Sequence, residues 1–96
     1  MRPSTVLYAH REQIRHLVLS HRALNPRVFG SIIYGKDHDG SDLDILVDVL
    51  PQTTLFDLGG LQQELETLLG LQVDVLTPDD LPSKFREKVL QDAQPV

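Results

Sequence analysis

The chain has 96 residues, a formal net charge of −5, a sequence pI near 5.1 and no cysteine. That length allows one domain, residues 1–96, with a modest core and no separate substrate-binding domain, so substrate work has to be shared with a partner. The acidic balance argues against direct capture of nucleic acid, and the missing cysteines exclude a disulfide framework and thiolate chemistry. The opening residues are too polar for a signal peptide, and no apolar run reaches membrane-spanning length. A cytoplasmic protein is the expectation.

In chain order, Ser4 to Arg22 reads as one helix. Val6, Leu7, Ile14, Leu17, Val18 and His21 recur at helical spacing and form its apolar stripe, with Ser4 as N-cap and Asn25-Pro26 as the stop. A first strand is expected from Arg27 to Ile32, then a polar, exposed connection from Tyr34 to Gly40 that includes Lys36, Asp37 and His38. The second strand, Leu43 to Val49, alternates: Leu43, Ile45, Val47 and Val49 face one way, and Asp42, Asp44, Leu46 and Asp48 the other.

After Pro51, Thr53 or Thr54 caps a leucine-rich helix with Asp57 in its first turn. Leu55, Leu58, Leu61, Leu65, Leu68 and Leu69 supply its buried stripe, Phe56 lies off it, and Gly70 ends it. The pair Gly59-Gly60 costs about 1 kcal/mol per glycine in a helix interior, which predicts a weak or bent first turn and a firm helix from Leu61. A third strand, Leu71 to Leu76, carries Asp74 amid β-branched residues, a position of low strand propensity. Thr77-Pro78-Asp79-Asp80 starts a further helical segment, and a last helix from Ser83 to about Asp92 is expected to turn Leu81, Phe85, Val89 and Leu90 inward. The fold class is therefore α/β (α+β), a small mixed β-sheet with helices packed on it.

Two carboxylates two residues apart on a strand, Asp42 and Asp44, point into one volume and repel unless a cation lies between them. Oxygen ligands suit magnesium. Gly30-Ser31 supplies a small residue and a hydroxyl where backbone can approach a phosphate. If the third strand lies beside the second, Asp74 joins the same volume.

Gly30-Ser31, ten intervening residues and then Asp42-Leu43-Asp44, with the later strand acid Asp74, resembles the G-S-x(10)-D-x-D pattern of the polymerase-β-like nucleotidyltransferase superfamily. The short chain and the closing REKVLQDAQPV are most similar to the minimal nucleotidyltransferases, antitoxins that act beside HEPN-domain ribonuclease toxins. The resemblance implies that Asp42, Asp44 and Asp74 are catalytic and hold two Mg2+ ions, that Gly30 and Ser31 cradle the phosphates of ATP with Lys36 and Ser41 as further nucleotide contacts, and that AMP passes to a tyrosine of the HEPN toxin. Tyr34 stands where many relatives carry a basic residue, and Lys36, two positions on, is the substitute. The alternative is a binding module that blocks its toxin without catalysis. Transfer to a small molecule or an RNA end is disfavoured, because relatives with those activities carry extra acceptor domains.

Overall fold

The computed structural model describes residues 1–96. It is a mixed four-stranded sheet in the order β3-β2-β1-β4 with helices on both faces. Strand β1 (Ala23–Phe29) runs antiparallel to β2 (Leu43–Val49), and β2 runs parallel to β3 (Val73–Leu76). A parallel neighbour needs a crossover, supplied by α3 (Leu55–Leu69).

The observed bounds of β2 are those its alternation predicts. Its partners set the faces: Leu43, Ile45 and Val47 join Val28, Val73, Ile14, Val18, Leu61 and Leu65 in the main core, all almost fully buried. Leu46 is also fully buried but lies outside that cluster, on the face that carries Asp44. The sheet thus has an apolar face beneath α1 (Pro3–Ala9), α2 (Arg11–Ser20) and α3, and an opposite face whose polar end holds the acids.

The first helix is two helices. In a continuous helix the His10 amide would reach Val6 O; here the His10 ring occupies that carbonyl through Nδ1 at 2.9 Å, and the amide turns to Leu7 O at 3.1 Å. The stripe survives the break, with Val6 and Leu7 buried in α1 and Ile14 and Val18 in α2. Arg2, not Ser4, occupies the N-cap. Asn25-Pro26 does not stop the helix, which already ends at Ser20; it lies inside β1, where Asn25 takes a positive φ of 53° and the register to β2 shifts between Leu24 and Arg27.

Strand β1 ends at Phe29 rather than Ile32. Gly30 turns the chain at φ +82°, and Gly30–Tyr34 forms a 3₁₀ turn closed by left-handed Gly35. The connection that follows is anchored at Asp37, which is buried where exposure was expected. Its carboxylate accepts from Arg2 Nη2 at 2.9 Å and from the Ser4 amide at 2.9 Å. Burial pushes this carboxyl up, but the hydrogen bonds from Ser4 and the Arg2 charge outweigh it and hold it at about 2. A folded-state pKa below the ordinary value stabilises the fold above about pH 4, and that stability drains as pH falls from there toward 2. Arg2→Ala is expected to cost about 1–3 kcal/mol at neutral pH, and Asp37→Asn to flatten the acid limb of a melting-temperature profile; an acid limb unchanged in Asp37→Asn contradicts the anchoring.

Helix α3 opens on the expected box, with the Asp57 amide donating to Thr54 Oγ1 and the Thr54 amide to Asp57 Oδ2, and ends at Gly70 at φ +70°. Gly59-Gly60 does not weaken its start: the helix is continuous from Leu55, because the capping box and the packing of Leu61 and Leu65 outweigh the glycine penalty. Leu55 is 86% exposed and leaves the stripe to Leu61, Leu65 and Leu69. The strand after it starts at Val73, two residues later than expected.

A one-turn 3₁₀ segment, Pro78–Asp80, precedes α4 (Ser83–Asp92). No α4 residue is fully buried, and Phe85 (53%) and Leu90 (40%) are exposed, against the inward facing expected of them; only Leu81 of that set is buried. The chain then pairs Gln94–Pro95 with β1 as β4, and the Val96 amide donates to Pro26 O at 3.0 Å. A two-residue strand carries no periodicity, so the sequence pattern gave no sign of it. No helix is long and apolar enough to cross a membrane.

Candidate active site

The site is built on the polar end of β2. In the parallel register Asp44 is the direct neighbour of Asp74, and in the antiparallel register it is the neighbour of Phe29. Laterally paired residues point to the same face, so Asp44, Asp74 and Phe29 share one. The βαβ crossover brings the two acids together across 30 residues of sequence.

Their proximity has an electrostatic signature. Partial burial, then the charges of Asp74 and Asp42, then a hydrogen bond with Asp74 raise the Asp44 carboxyl to about 6. Asp42, at the mouth of the strand, is exposed and adds charge from the same end. The donors are carboxylate oxygens, the chemistry a hard divalent cation takes. As the side chains stand, no three His, Cys, Asp or Glu groups are gathered closely enough to hold an ion; Asp44 and Asp74 are direct neighbours across the parallel register.

Gly30 fits against this pair. A Cβ built on it would lie 2.6 Å from Asp44 Oδ2, so the acid leaves no room for a side chain at this position. Ser31 follows in the 3₁₀ turn, and its carbonyl accepts from the Lys36 amide at 2.9 Å, which holds exposed Lys36 just beyond the turn. Ser41 has a loop-shaping role: its Oγ accepts from the His38 amide at 3.0 Å and its own amide donates to His38 O. Ser41 and Asp42, with Asp39, Gly40 and Gln72, line a cleft of about 540 Å³ that opens on the Asp42 side.

One cluster was not foreseen. Tyr34 Oη donates to Asp92 Oδ2 at 2.6 Å, and Lys88 Nζ lies 3.1 Å from the same oxygen. The hydrogen bond to Asp92 pushes the Tyr34 phenol up. Lys88 therefore stands beside position 34, where the sequence shows an uncharged ring. The only sequence signal was the i, i+4 spacing of Lys88 and Asp92, an ordinary feature of helix surfaces.

A Gly-Ser turn ends one strand, and the next two strands carry a carboxylate pair beside it in an α/β frame. Among known proteins, residues 10–96 match the family model for the nucleotidyltransferase domain, and the chain belongs to that family and is a nucleotidyltransferase. Protein adenylyltransferase MntA of Thermococcus cleftensis is 35% identical over 88 residues, 92% of this chain and 86% of its own. A candidate protein adenylyltransferase of Methanocaldococcus jannaschii, MJ0435, is 34% identical over 83 residues, 86% of this chain and 89% of its own. Among solved structures, one described as a candidate minimal nucleotidyltransferase superposes with a TM-score of 0.86 at 40% identity, covering 97% of this chain and 95% of its own. A toxin-antitoxin structure with AMP-PNP shares the fold at a TM-score of 0.70 and 19% identity, covering 97% of this chain and 71% of that one. The minimal-nucleotidyltransferase resemblance and the mixed-sheet fold are both borne out.

Proposed function

We propose that this chain is an antitoxin that transfers AMP from ATP to a tyrosine hydroxyl of a HEPN-domain ribonuclease toxin and so silences it. The observation that carries the reading is the lateral pair Asp44–Asp74 packed against bare Gly30. The relatives named protein adenylyltransferases support AMP as the group moved, and the toxin-antitoxin fold neighbour with AMP-PNP supports a toxin as partner and ATP as donor.

Asp42, Asp44 and Asp74 would hold two Mg2+ ions, which when bound neutralise the triphosphate and the charge that develops at the α-phosphorus. Gly30 lets the backbone approach the β- and γ-phosphates without a side chain in the way, and the Ser31 hydroxyl donates to a phosphate oxygen. Lys36 supplies positive charge from beyond the turn, and Ser41 keeps the loop before Asp42 in shape. Asp74 orients the tyrosine hydroxyl and takes its proton as the oxygen attacks the α-phosphorus; the bond to the β-phosphate breaks in line and pyrophosphate leaves. Positioning and charge neutralisation carry most of the acceleration. The acceptor arrives on a folded partner.

The test is to incubate the protein with its toxin, magnesium and ATP labelled at the α-phosphate. Label is expected on a toxin tyrosine, with RNA cleavage falling in step, and both effects are lost in Asp42→Ala with Asp44→Ala. If that double variant still silences the toxin at wild-type affinity and no label is transferred, the protein acts by occupancy alone.

A further inference from the structure

Asp37 is the one buried charged residue of the chain, its side chain 1% exposed, and it stands in the loop between Gly35 and Asp42 rather than in the sheet. Resting on the adenylyltransferase reading above, we infer that Asp37, held by Arg2 and the Ser4 amide, is a positioning residue: it ties this loop to α1 and so sets where Lys36 and Asp42 stand toward the nucleotide and its ion.

Little else holds the loop to the body of the molecule. The Lys36 amide donates to Ser31 O, the His38 amide to Ser41 Oγ and the Ser41 amide to His38 O, all of them bonds within the loop or to the turn just before it. They shape it without anchoring it. The side-chain links that leave the loop all run to the first four residues: Asp37 accepts from Arg2 Nη2 and from the Ser4 amide, each at 2.9 Å, and Asp39 pairs with the Met1 amine at 2.8 Å. The Met1–Asp39 pair is exposed on both sides and holds weakly, which leaves Asp37 as the fixed point. Helix α1 is a firm base for it, with Pro3, Val6 and Leu7 buried.

Asp37 stands between the two groups it places. Lys36 precedes it directly, and on its other side the hydrogen-bonded His38–Ser41 turn leads into Asp42. Asp44 and Asp74 lie inside strands and are neighbours in the ladder, whereas Asp42 lies just before β2. Fully buried Leu43 fixes one side of Asp42; the other side follows the turn. A shift at Asp37 therefore moves Lys36 and Asp42 and leaves Asp44 in place. The choice of residue fits that role. Taking a carboxylate out of water is costly, and an apolar side chain often serves a buried position with equal or greater stability. What the carboxylate adds is direction, since each oxygen is bound to a different donor of the α1 segment.

The experiment measures magnesium AMP-PNP binding by calorimetry, together with backbone amide exchange, at a temperature where circular dichroism shows the variants folded. Arg2→Ala with Asp37→Ala removes both partners and leaves no buried charge unpaired, so it is expected to be more stable than Arg2→Ala alone. It is nonetheless expected to bind magnesium AMP-PNP about 10–100-fold more weakly than wild type, the usual loss when the support of a metal ligand is removed. Exchange is expected to quicken from His38 to Asp42 and to stay unchanged from Ile45 to Val47. Arg2→Lys, which retains a cation, is expected to keep most of the affinity that Arg2→Ala loses. Wild-type affinity in the folded double variant overturns the inference and makes the tie purely structural, and so does weaker binding with exchange raised equally throughout the sheet. If the double variant does not fold, Arg2→Ala against Arg2→Lys decides by the same two readouts, because Arg2 is half exposed. Wild-type protein that does not bind magnesium AMP-PNP overturns the adenylyltransferase reading and this inference with it.

Discussion

Asp44→Asn is expected to abolish nucleotide transfer, by about 10²–10³-fold or more, while making the ligand-free protein more stable above pH 6. The two effects have one cause. Burial and the neighbouring charges of Asp74 and Asp42 raise the Asp44 carboxyl to about 6, so the folded chain retains a proton that the unfolded chain gives up near pH 4. Between those values the folded state binds more protons, and stability falls as pH rises. The deficit is then constant above pH 6, at about 1–3 kcal/mol once partial solvent access is allowed for. Asparagine keeps the shape, carries no charge and removes this slope. Denaturant midpoints of both proteins from pH 4 to 8 without divalent ions check it: a wild-type midpoint that declines to pH 6 and a flat one for Asp44→Asn are the expected pair, and parallel curves contradict the coupling of Asp44 to its neighbours.

Gly30→Ala has the second largest expected effect. At φ +82° a Cβ costs about 1–2 kcal/mol in backbone strain alone. Here the methyl also meets Asp44 Oδ2 at 2.6 Å, so either the turn or the carboxylate has to move. A melting temperature lower by several degrees is expected, as about 1 kcal/mol shifts a domain of this size by 4–8 °C. Transfer should fall further than stability explains, since the displaced acid belongs to the proposed centre. Gly35→Ala is the control: it has a positive φ of 66° and nothing within 4 Å of its Cβ, so it is expected to lose stability without a comparable loss of transfer. Equal losses of transfer in the two variants would show that the contact with Asp44 has no role.

The parts of the molecule that were legible in the sequence are those whose signal is local or periodic. Strand β2 could be bounded to the residue because apolar and acidic side chains alternate through it, and α3 could be bounded by its Thr54–Asp57 box and Gly70. The meeting of Asp44 and Asp74 followed from two strands joined by a helix, a connection that leaves few arrangements. What stayed hidden depends on contacts between distant segments. The break at His10 is a competition between a ring and an amide for one carbonyl. Asp37 looked like a loop residue because its partners, Arg2 and Ser4, lie more than 30 positions away. The hollow of about 220 Å³ lined by Phe29, Ile33, Phe85 and Val89 exists only because α4 comes back beside the Gly30–Tyr34 turn, and nothing in the spacing of Phe85 and Val89 shows that they stay open rather than packed shut.

Tyr34 is another residue whose setting depends on a distant segment. As a position in a motif it is a missing charge; in the structure its hydroxyl is bound to Asp92, which also holds Lys88. An uncharged residue at 34 therefore does not leave that corner of the molecule without a cation.

The central claim is that the ion and the nucleotide meet at the polar end of β2. Its most direct test is a titration with Mn2+ in the presence of AMP-PNP, followed by the paramagnetic broadening of assigned backbone amide resonances. Selective broadening of Gly30, Ser31, Asp42 to Asp44 and Asp74 at low Mn2+ is the predicted result, and its loss in Asp44→Asn the predicted control. Broadening centred on another acidic stretch, such as Asp79-Asp80, or a pattern that Asp44→Asn leaves unaltered, would contradict the account.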